Sequence, residues 1–568
     1  MTEPSAVQKA VGRGRIPGWL LALGLSLLVS LVIVLPFFWY GSASGHDFEF
    51  HADSWFDAAQ QWKEGVLYPR WTAWTNHGFG EPRFIFYPPL SWMLGAALTR
   101  LMPLTWVPVA FIVLTQTFAG LAAFLLLKRL TSERAAILGA ACYAMNPNAL
   151  LMTYIRSDFA EQLACAMFPL VLLGALKLCD YLQDSESRVS SVVYFAIPFA
   201  SVWLSNAPAG VIASYSIALL MAWAAITQRS LKIVVRGACG LALGLSLTGF
   251  YLIPAAYEQR WVNIGQALSS GLLPSQNFLF TAIEDVEHTW FNWIASMCAL
   301  MLVLLLGISA LLSGRLGKRG MARGAHRTGW TALLVVGAAA TVLMMRFTLP
   351  LWSLLPKLRF VQFPWRWMSI VALIFACFAA AVCERRRGWL LFAAMAVVSV
   401  PMGHLLVSNS WWDTDEMPTQ YAAIERGTGF DGTDEYDPLG DDHSDLPVGA
   451  LLVRILPESK DGSSAPQAQA HVVEWKTEKK EIRVDAKDNT HVALRLLNYP
   501  AWRVEVNGRA IAPERMDDFN VMVIPVESGS SVIRVWFART ADRTVGIVVS
   551  VMAVMAAIVL MAWGKNRN

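Results

Sequence analysis

The first polar segment after the N-terminal apolar run contains the residue types that acid–base chemistry needs. Two of the nine histidines and three carboxylates fall within eight residues of the segment Gly45-His46-Asp47-Phe48-Glu49-Phe50-His51-Ala52-Asp53. In a helix, Asp47 and His51 would share a face, because residues four apart are neighbours. The structural alternative is an interfacial loop with aromatic anchors. We favour a functional site at Asp47 and leave His51 and Asp53 open between the two interpretations.

Two further segments place arginine and carboxylates where apolar runs begin. Residues 154–161 contain Arg156, Asp158 and Glu161, and Arg366 stands at the start of another apolar run. Helix capping by Asp158 or the preceding serine, with Glu161 in the first turn, explains the carboxylates but not Arg156. An arginine at membrane depth meets an anion, which is a carboxylate, a lipid phosphate or a substrate.

Three other residues belong with these clusters by position: Arg70, Tyr87 and Glu258. We expect the clusters to line one polar cavity at the outer edge of a membrane domain. Such a cavity suits a substrate with an anionic phosphate and a long lipid tail. Apolar helices hold the tail, arginines hold the phosphate, and a carboxylate acts as base toward an attacking hydroxyl.

Composition places these residues in a membrane protein. Of 568 residues, 55% are hydrophobic and only 15% are charged, whereas soluble proteins carry about a quarter charged residues. Apolar runs near the length that crosses a bilayer predict about twelve spanning helices, at 18–40, 107–127, 135–151, 159–178, 189–205, 207–226, 233–253, 293–312, 330–349, 367–382, 389–407 and 545–563. The run 88–101 is shorter and begins with two prolines, so we interpret it as interfacial or re-entrant.

The distribution of charge predicts the orientation. With twelve spans and the N terminus inside, the inner segments contain 21 of the 46 basic residues and six of the 42 acidic ones. This excess follows the positive-inside rule. Both termini are therefore expected in the cytoplasm, with residues 41–89 and 409–541 outside.

The second outer region has two parts. An acidic, glycine-rich stretch from Asp413 to Asp445 is interpreted as a solvated loop. From His471 onward, apolar and polar residues alternate, and Asn507-Gly508 is a two-residue hairpin signal. The sequence thus predicts a mainly α polytopic protein with three parts: a membrane module at 1–408, an acidic loop with an antiparallel β-sandwich at 409–541, and a last helix with a cytoplasmic tail at 542–568.

The chain resembles a known group of membrane enzymes. A leading span, an acidic first outer loop ending in Tyr87-Pro88-Pro89-Leu90, many further spans and an outer β domain resemble the GT-C superfamily of polyprenyl-phosphate-sugar-dependent glycosyltransferases. Within it, short elements resemble the bacterial membrane proteins described as 6-pyruvoyl-tetrahydropterin synthase related: Tyr68-Pro69-Arg70-Trp71, Gly78-Phe79-Gly80-Glu81-Pro82, Arg156-Ser157-Asp158-Phe159-Ala160-Glu161 and Phe363-Pro364-Trp365-Arg366. The segment Tyr499-Pro500-Ala501-Trp502-Arg503-Val504 is similar to the outer domain of their YfhO-like relatives.

The resemblance implies sugar transfer with inversion on the outer leaflet of a bacterial plasma membrane. Asp47 matches the acidic residue of the superfamily's first loop and would take the proton from the acceptor hydroxyl. The leaving polyprenyl phosphate would need cations, and a divalent metal is a further option. The candidate substrate-binding residues are His46, His51, Asp53, Arg70, Tyr87, Arg156, Asp158, Glu161, Glu258 and Arg366. If a metal is used, the resemblance implies His46, His51 and Asp53 as its ligands.

The implied partners are a polyprenyl-phosphate-linked sugar donor, the lipid bilayer, and an acceptor that is a glycan, lipid or protein. The alternative is a non-catalytic assembly or transport protein of envelope polysaccharide, with the β domain as its binding module. A secondary transporter would carry charges at the membrane midplane, whereas here they gather at the outer edge. Nucleic-acid binding is not expected, since basic residues concentrate in the inner segments.

Overall fold

A computed structural model describes residues 16–182, 188–315, 327–385, 389–440, 446–456, 467–515 and 520–565. The predicted cytoplasmic ends, 1–15 and 566–568, lie outside the described residues, as does the end of the acidic stretch at Asp445.

The described chain is mainly helical. Its helices are α1 Gly18–Ile33, α2 Phe37–Tyr40, α3 Phe48–Lys63, α4 Thr75–Gly78, α5 Arg83–Phe86, α6 Pro89–Leu101, α7 Val107–Leu127, α8 Glu133–Ala144, α9 Pro147–Leu151, α10 Phe159–Leu178, α11 Arg188–Ser205, α12 Ala207–Thr227, α13 Leu231–Leu247, α14 Gly249–Glu258, α15 Val286–Arg315, α16 Arg327–Leu343, α17 Leu349–Leu354, α18 Met368–Cys383, α19 Trp389–Ser408, α20 Glu416–Arg426 and α21 Ala541–Lys565.

Eight helical segments among the described residues are long and apolar enough to cross a membrane. Two bent pairs raise the number to ten if each pair is one span: Leu231–Leu247 with Gly249–Trp261, and Thr328–Leu343 with Arg346–Leu354. The shorter apolar helices Val189–Ser205 and Phe392–Ser408 occupy the positions of the other two expected spans. A polytopic helical body is therefore confirmed, and the number twelve stays a prediction.

The strands form three antiparallel sheets. They are β1 Ser42–Ala43, β2 Trp412–Asp413, β3 Val453–Leu456, β4 Ala468–Lys476, β5 Lys479–Ala486, β6 Thr490–Leu497, β7 Trp502–Val506, β8 Arg509–Ile511, β9 Glu514–Arg515, β10 Val521–Val526 and β11 Gly529–Phe537. β1 pairs with β2, and the other two sheets have the orders β3-β6-β10-β9 and β4-β5-β11-β7-β8. Asn507 and Gly508, with φ of 51° and 78°, form the predicted turn between β7 and β8.

One hydrophobic core holds the two larger sheets together. Ile482 and Ile533 of one sheet and Val492 and Ile524 of the other belong to the same buried cluster, as alternation of apolar residues predicts. The C-terminal β domain is thus confirmed, while its location outside the membrane stays a prediction.

The first loop, residues 41–89, packs into this β domain, although the sequence predicts two separate regions. Trp71, Phe79 and Phe86 join the same buried cluster. The ring centroids of Trp71 and Trp502 lie 5.4 Å apart at an edge-to-face angle. The backbone N–H of Leu497 also donates to the carbonyl of Phe79 at 3.0 Å. The loop that carries Asp47 and the β domain therefore form one packed unit.

Candidate functional site

Asp47 is positioned by the backbone of the break between α9 and α10. Its N–H donates to the carbonyl of Arg156 at 2.9 Å, and the N–H of Gly45 donates to the Ser157 hydroxyl at 3.0 Å. A Cβ on Gly45 would stand 2.2 Å from the carbonyl oxygen of Ile155. Only glycine permits this approach, and the contact holds Asp47 beside Arg156.

Five ionisable side chains meet at this point. The Asp47 carboxylate pairs with the Arg156 guanidinium, whose Nη2 also lies 3.7 Å from Oδ2 of Asp158. Arg366 approaches Oδ2 of Asp158 at 3.3 Å through Nη2 and Oε2 of Glu161 at 2.8 Å through Nε. The Asp47 side chain is 30% exposed, whereas the other four are 5% exposed or less. Asp47 is thus the accessible carboxylate of a buried network.

Asp158 caps a helix and also contacts the arginine side chains. Its Oδ1 caps α10 by accepting the N–H of Glu161 at 2.8 Å, and its Oδ2 faces the two arginines. Burial would raise the pKa of Asp158, but nearby His51 and the guanidinium groups of Arg366 and Arg156 hold it below its usual range. Asp158 is therefore a fixed negative charge.

His46 and His51 have different surroundings beside this network. His51 is fully buried, with Nε2 3.8 Å from Oδ1 of Asp158. The His46 ring lies 4.8 Å from that of Phe291, tilted by 54°, and its Nδ1 lies 3.2 Å from the carbonyl oxygen of Ile155. Burial, and then the charge of Arg156, lowers the pKa of His46, so the imidazole is neutral.

Aromatic rings complete the arginine environment. The Phe363 ring lies 5.0 Å from the Arg156 guanidinium and 4.9 Å from that of Arg366, and Trp365 lies 5.7 Å from Arg156. From the sequence, this segment was expected in the site only because of Arg366. The aromatic residues between Arg359 and Arg366 could have predicted these contacts, because guanidinium groups favour aromatic faces.

The network opens into a cavity of about 1190 Å³. Asp47, Arg156, Asp158 and Arg366 line it. The segments that contain Asp47, Arg156 and Arg366 therefore meet in one cavity, as expected. An apolar part of its wall comes from the α11–α12 break and from α14, through Trp203, Pro208, Val211 and Leu252. The cavity thus combines fixed charges with a surface suited to hydrocarbon.

The expected site residues divide into three groups. Seven line the cavity: His46, Asp47, Asp53, Tyr87, Arg156, Asp158 and Arg366. His51, beside Asp158, and Glu161, paired with Arg366, are not among the cavity-lining residues. Arg70 and Glu258 are not among the cavity-lining residues, so the expectation that they share the cavity is corrected.

Glu258 and Arg70 lie elsewhere because other side chains hold them there. Glu258 accepts from Arg543 at 2.7 and 2.8 Å and from the Tyr499 hydroxyl at 2.6 Å. The Arg70 guanidinium stacks on the Tyr68 ring at 4.2 Å. Both residues thus belong to the junction between the helical body and the β domain.

Among the described residues, no group of three or more His, Cys, Asp or Glu side chains can hold a metal ion. His46, His51 and Asp53 do not converge into such a group.

The acidic stretch forms part of the cavity, which the solvated-loop interpretation missed. Arg83 donates to Glu81 Oε1 at 2.6 Å and to the Thr433 hydroxyl at 2.9 Å, while the N–H of Thr433 donates to Glu81 at 2.9 Å. These bonds hold residues 429–436 against the first loop. Glu435 and Tyr436 consequently line the cavity. The acidic sequence did not predict this packing, because Thr433 and its partners Glu81 and Arg83 are about 350 positions apart.

Comparison with known proteins gives one family match and several remote structural similarities. The chain is similar to the oligosaccharyltransferase of Archaeoglobus fulgidus in its apo form, with 15% identity over 68% of this chain and 55% of that one, and a TM-score of 0.43. The mycobacterial arabinofuranosyltransferase AftD gives 17% identity over 69% and 27%, with a TM-score of 0.39. ArnT from Cupriavidus metallidurans, in a structure bound to undecaprenyl phosphate, gives 11% over 73% and 90%, with a TM-score of 0.29.

The chain spans about half the length of the oligosaccharyltransferase. No curated protein matches the chain in sequence. The model of a family described as "6-pyruvoyl-tetrahydropterin synthase related domain; membrane protein" matches residues 84–414, which is more than half of the chain. These matched residues include the Arg156 and Arg366 segments of the site. The protein therefore belongs to the 6-pyruvoyl-tetrahydropterin synthase related family of membrane proteins.

Proposed function

We propose that the protein is an integral membrane glycosyltransferase of GT-C type. It moves a sugar from a polyprenyl-phosphate donor to an acceptor on the extracytoplasmic face, with inversion at the anomeric carbon. One observation carries the proposal: the partly exposed Asp47 carboxylate and the buried Arg156 and Arg366 line the same large cavity, part of whose wall is apolar.

Asp47 acts as the general base. Its carboxylate accepts the proton of an acceptor hydroxyl while the hydroxyl oxygen forms a bond with the anomeric carbon from the face opposite the phosphate. The bond between the anomeric carbon and the phosphate oxygen breaks, and its electrons leave with the polyprenyl phosphate. Asp47 suits this role because its carboxylate does not cap α3, which begins at Phe48, and because it is the most exposed member of the network.

Arg156 and Arg366 stabilise the leaving phosphate. Arginine binds phosphate through paired N–H groups, and these bonds strengthen as negative charge develops on the leaving oxygen. In the network two guanidinium groups face three carboxylates, Asp47, Asp158 and Glu161. An arriving phosphate competes with Asp47 for Arg156, which frees the carboxylate to act as base. Donor binding thus prepares the catalytic group.

The apolar wall gives the lipid tail its place. Trp203, Pro208 and Val211 stand where α11 ends and α12 begins. A polyprenyl chain on this surface would leave its phosphate at the polar end of the cavity. Arg70 and Glu258 have no part in the proposed site.

The test is sugar transfer by the full chain in vesicles. Purified protein is supplied with a panel of radiolabelled polyprenyl-phosphate pentoses and hexoses and with envelope extract as acceptor. Asp47→Asn keeps the shape but removes the basicity, so we expect transfer to fall at least 100-fold, within the range that general-base catalysis contributes. Asp488→Asn, on an exposed turn of the β domain, is the matched control and should transfer normally. Undiminished transfer by Asp47→Asn would refute the proposal.

A further inference from the structure

A second group of carboxyl side chains lines the cavity, and the proposed transfer chemistry does not use it. It comprises Glu49, Asp53, Asp431 and Glu435, which we call the acidic lobe. The first two come from α3 and the last two from the segment that Thr433 fixes to the first loop. The lobe therefore lies where the first loop meets the acidic stretch.

Asp53 is the unusual member of the lobe. It is 5% exposed, and its Oδ1 is buried without a hydrogen-bond partner among the described residues. A buried polar atom with no partner is costly and is rare in proteins. Asp57, one turn further along α3, shows the contrast, since its Oδ2 accepts the N–H groups of Ala73 and Trp74 at 2.6 and 3.0 Å. Asp57 stabilises the loop, whereas Asp53 lines the cavity with one carboxyl oxygen that has no partner among the described residues.

The nearest cation does not satisfy Asp53. Arg83 has the largest electrostatic effect on Asp53 of any neighbouring side chain. Its guanidinium donates instead to Glu81 at 2.6 Å, to Ser54 at 3.2 Å and to Thr433 at 2.9 Å. Arg83 therefore offers little attraction to an anionic ligand, because Glu81 already neutralises its charge.

The surroundings of the lobe favour a neutral, hydroxyl-rich ligand. The rings of Phe50 and Tyr87, 4.6 Å apart, and that of Tyr436 line the cavity here. Burial raises the pKa of Asp53 well above its usual value and that of Glu435 to about 7. Neutral carboxyl groups both donate and accept hydrogen bonds, which matches sugar hydroxyls, while aromatic rings cover the apolar face of a sugar ring. An ammonium ligand would need ionised carboxylates instead.

We propose that the acidic lobe is the acceptor subsite and that it binds a neutral saccharide through hydrogen bonds to the Asp53 and Glu435 carboxyl groups. The assignment as acceptor site rests on the proposed function, whereas saccharide binding does not. Asp47 and Asp53 are separated by about 9 Å along the axis of α3, at about 1.5 Å per residue. This is comparable to the length of a disaccharide, so a glycan held at Asp53 can present a hydroxyl to Asp47.

The test measures binding rather than transfer. The full chain in nanodiscs is titrated with methyl β-galactopyranoside, methyl α-mannopyranoside and methyl α-arabinofuranoside by saturation-transfer NMR, with glycerol 3-phosphate and glucosamine as charged comparison probes. We expect at least one neutral glycoside to bind and Asp53→Ala to weaken it about five- to tenfold, as the loss of one buried hydrogen bond predicts. Asp488→Asn should bind as the unchanged protein does. Asp53→Asn is the second variant should Asp53→Ala fail to fold.

A stability measurement separates a binding role from a structural one. Asp53→Ala should unfold at the same temperature as the unchanged protein or higher, because the Oδ1 atom makes no bond that is lost. Asp57→Ala should unfold at a lower temperature.

The inference is overturned if no neutral glycoside binds, if Asp53→Ala binds it unchanged, or if glycerol 3-phosphate or glucosamine binds more tightly in an Asp53-dependent way. Loss of sugar transfer with retained Asp53-dependent binding would contradict the proposed function alone.

Discussion

Replacement of Glu258 should destabilise the protein strongly without changing the residues that line the cavity. The carboxylate is fully buried and accepts three hydrogen bonds, two from Arg543 at 2.7 and 2.8 Å and one from Tyr499 at 2.6 Å. Arg543 is 3% exposed, so Glu258→Ala leaves a buried cation without its partner. Breaking a buried ion pair in this way costs about 3–5 kcal/mol.

A double variant isolates the charge effect. Glu258→Met with Arg543→Met removes both charges while keeping most of the volume, so most of the lost stability should return. The assay is thermal unfolding in detergent, followed by tryptophan fluorescence. The control is Glu481→Ala, which breaks an ion pair with the 58% exposed Arg534 and should cost no more than about 1 kcal/mol.

The reasoning would be refuted if Glu258→Ala unfolded like the unchanged protein, or if the double variant were as unstable as the single one. Donor affinity of the folded fraction should be unchanged, since Glu258 does not line the cavity.

Two further predictions concern the phosphate site and Glu416, the first residue of α20. Arg366→Ala should weaken binding of a polyprenyl phosphate at least tenfold in a lipid-binding titration, because a charge-assisted hydrogen bond contributes about 1.5–3 kcal/mol. The control Arg70→Ala, outside the cavity, should bind the lipid as the unchanged protein does. If Arg366→Ala also bound it with unchanged affinity, Arg366 would not belong to the phosphate site. Burial, and then the charge of Glu49, raises the pKa of Glu416 from 4.5 to about 7, so its contribution to stability is full below pH 4.5 and is lost as pH rises through 7. As pH rises from 4.5 to 8, the unfolding temperature of Glu416→Gln should therefore increase relative to that of the unchanged protein. A difference between the two unfolding temperatures that does not change with pH would contradict this.

Local patterns predicted the elements and several of their contacts. Apolar runs located the membrane helices, alternation located the strands of the β domain, and Asn507-Gly508 located its hairpin. Asp47 was identified by the histidines and carboxylates around it, Asp158 as a carboxylate beside Arg156 at the start of an apolar run, and Arg366 because an arginine at membrane depth meets an anion. The structure brings them together, as their shared position at one membrane edge leads one to expect.

The sequence did not predict which residues pair when they are far apart along the chain. Glu258 carries the same local signal as Asp158, but Arg543, 285 positions later, engages it. The acidic stretch looked solvated, yet Thr433 and Asp437 bond to the first loop. Both outcomes depend on how the β domain packs on the helices, and periodicity within one segment carries no information about that packing.

The most direct test of the central claim is the position of a bound polyprenyl phosphate relative to Asp47. The full chain in nanodiscs, loaded with the lipid, is imaged by cryo-electron microscopy. We predict phosphate density in contact with the Arg156 and Arg366 guanidinium groups, a lipid tail along Trp203 and Val211, and an Asp47 carboxylate released from Arg156. Phosphate density away from both arginines, with Asp47 still paired to Arg156, would contradict the account.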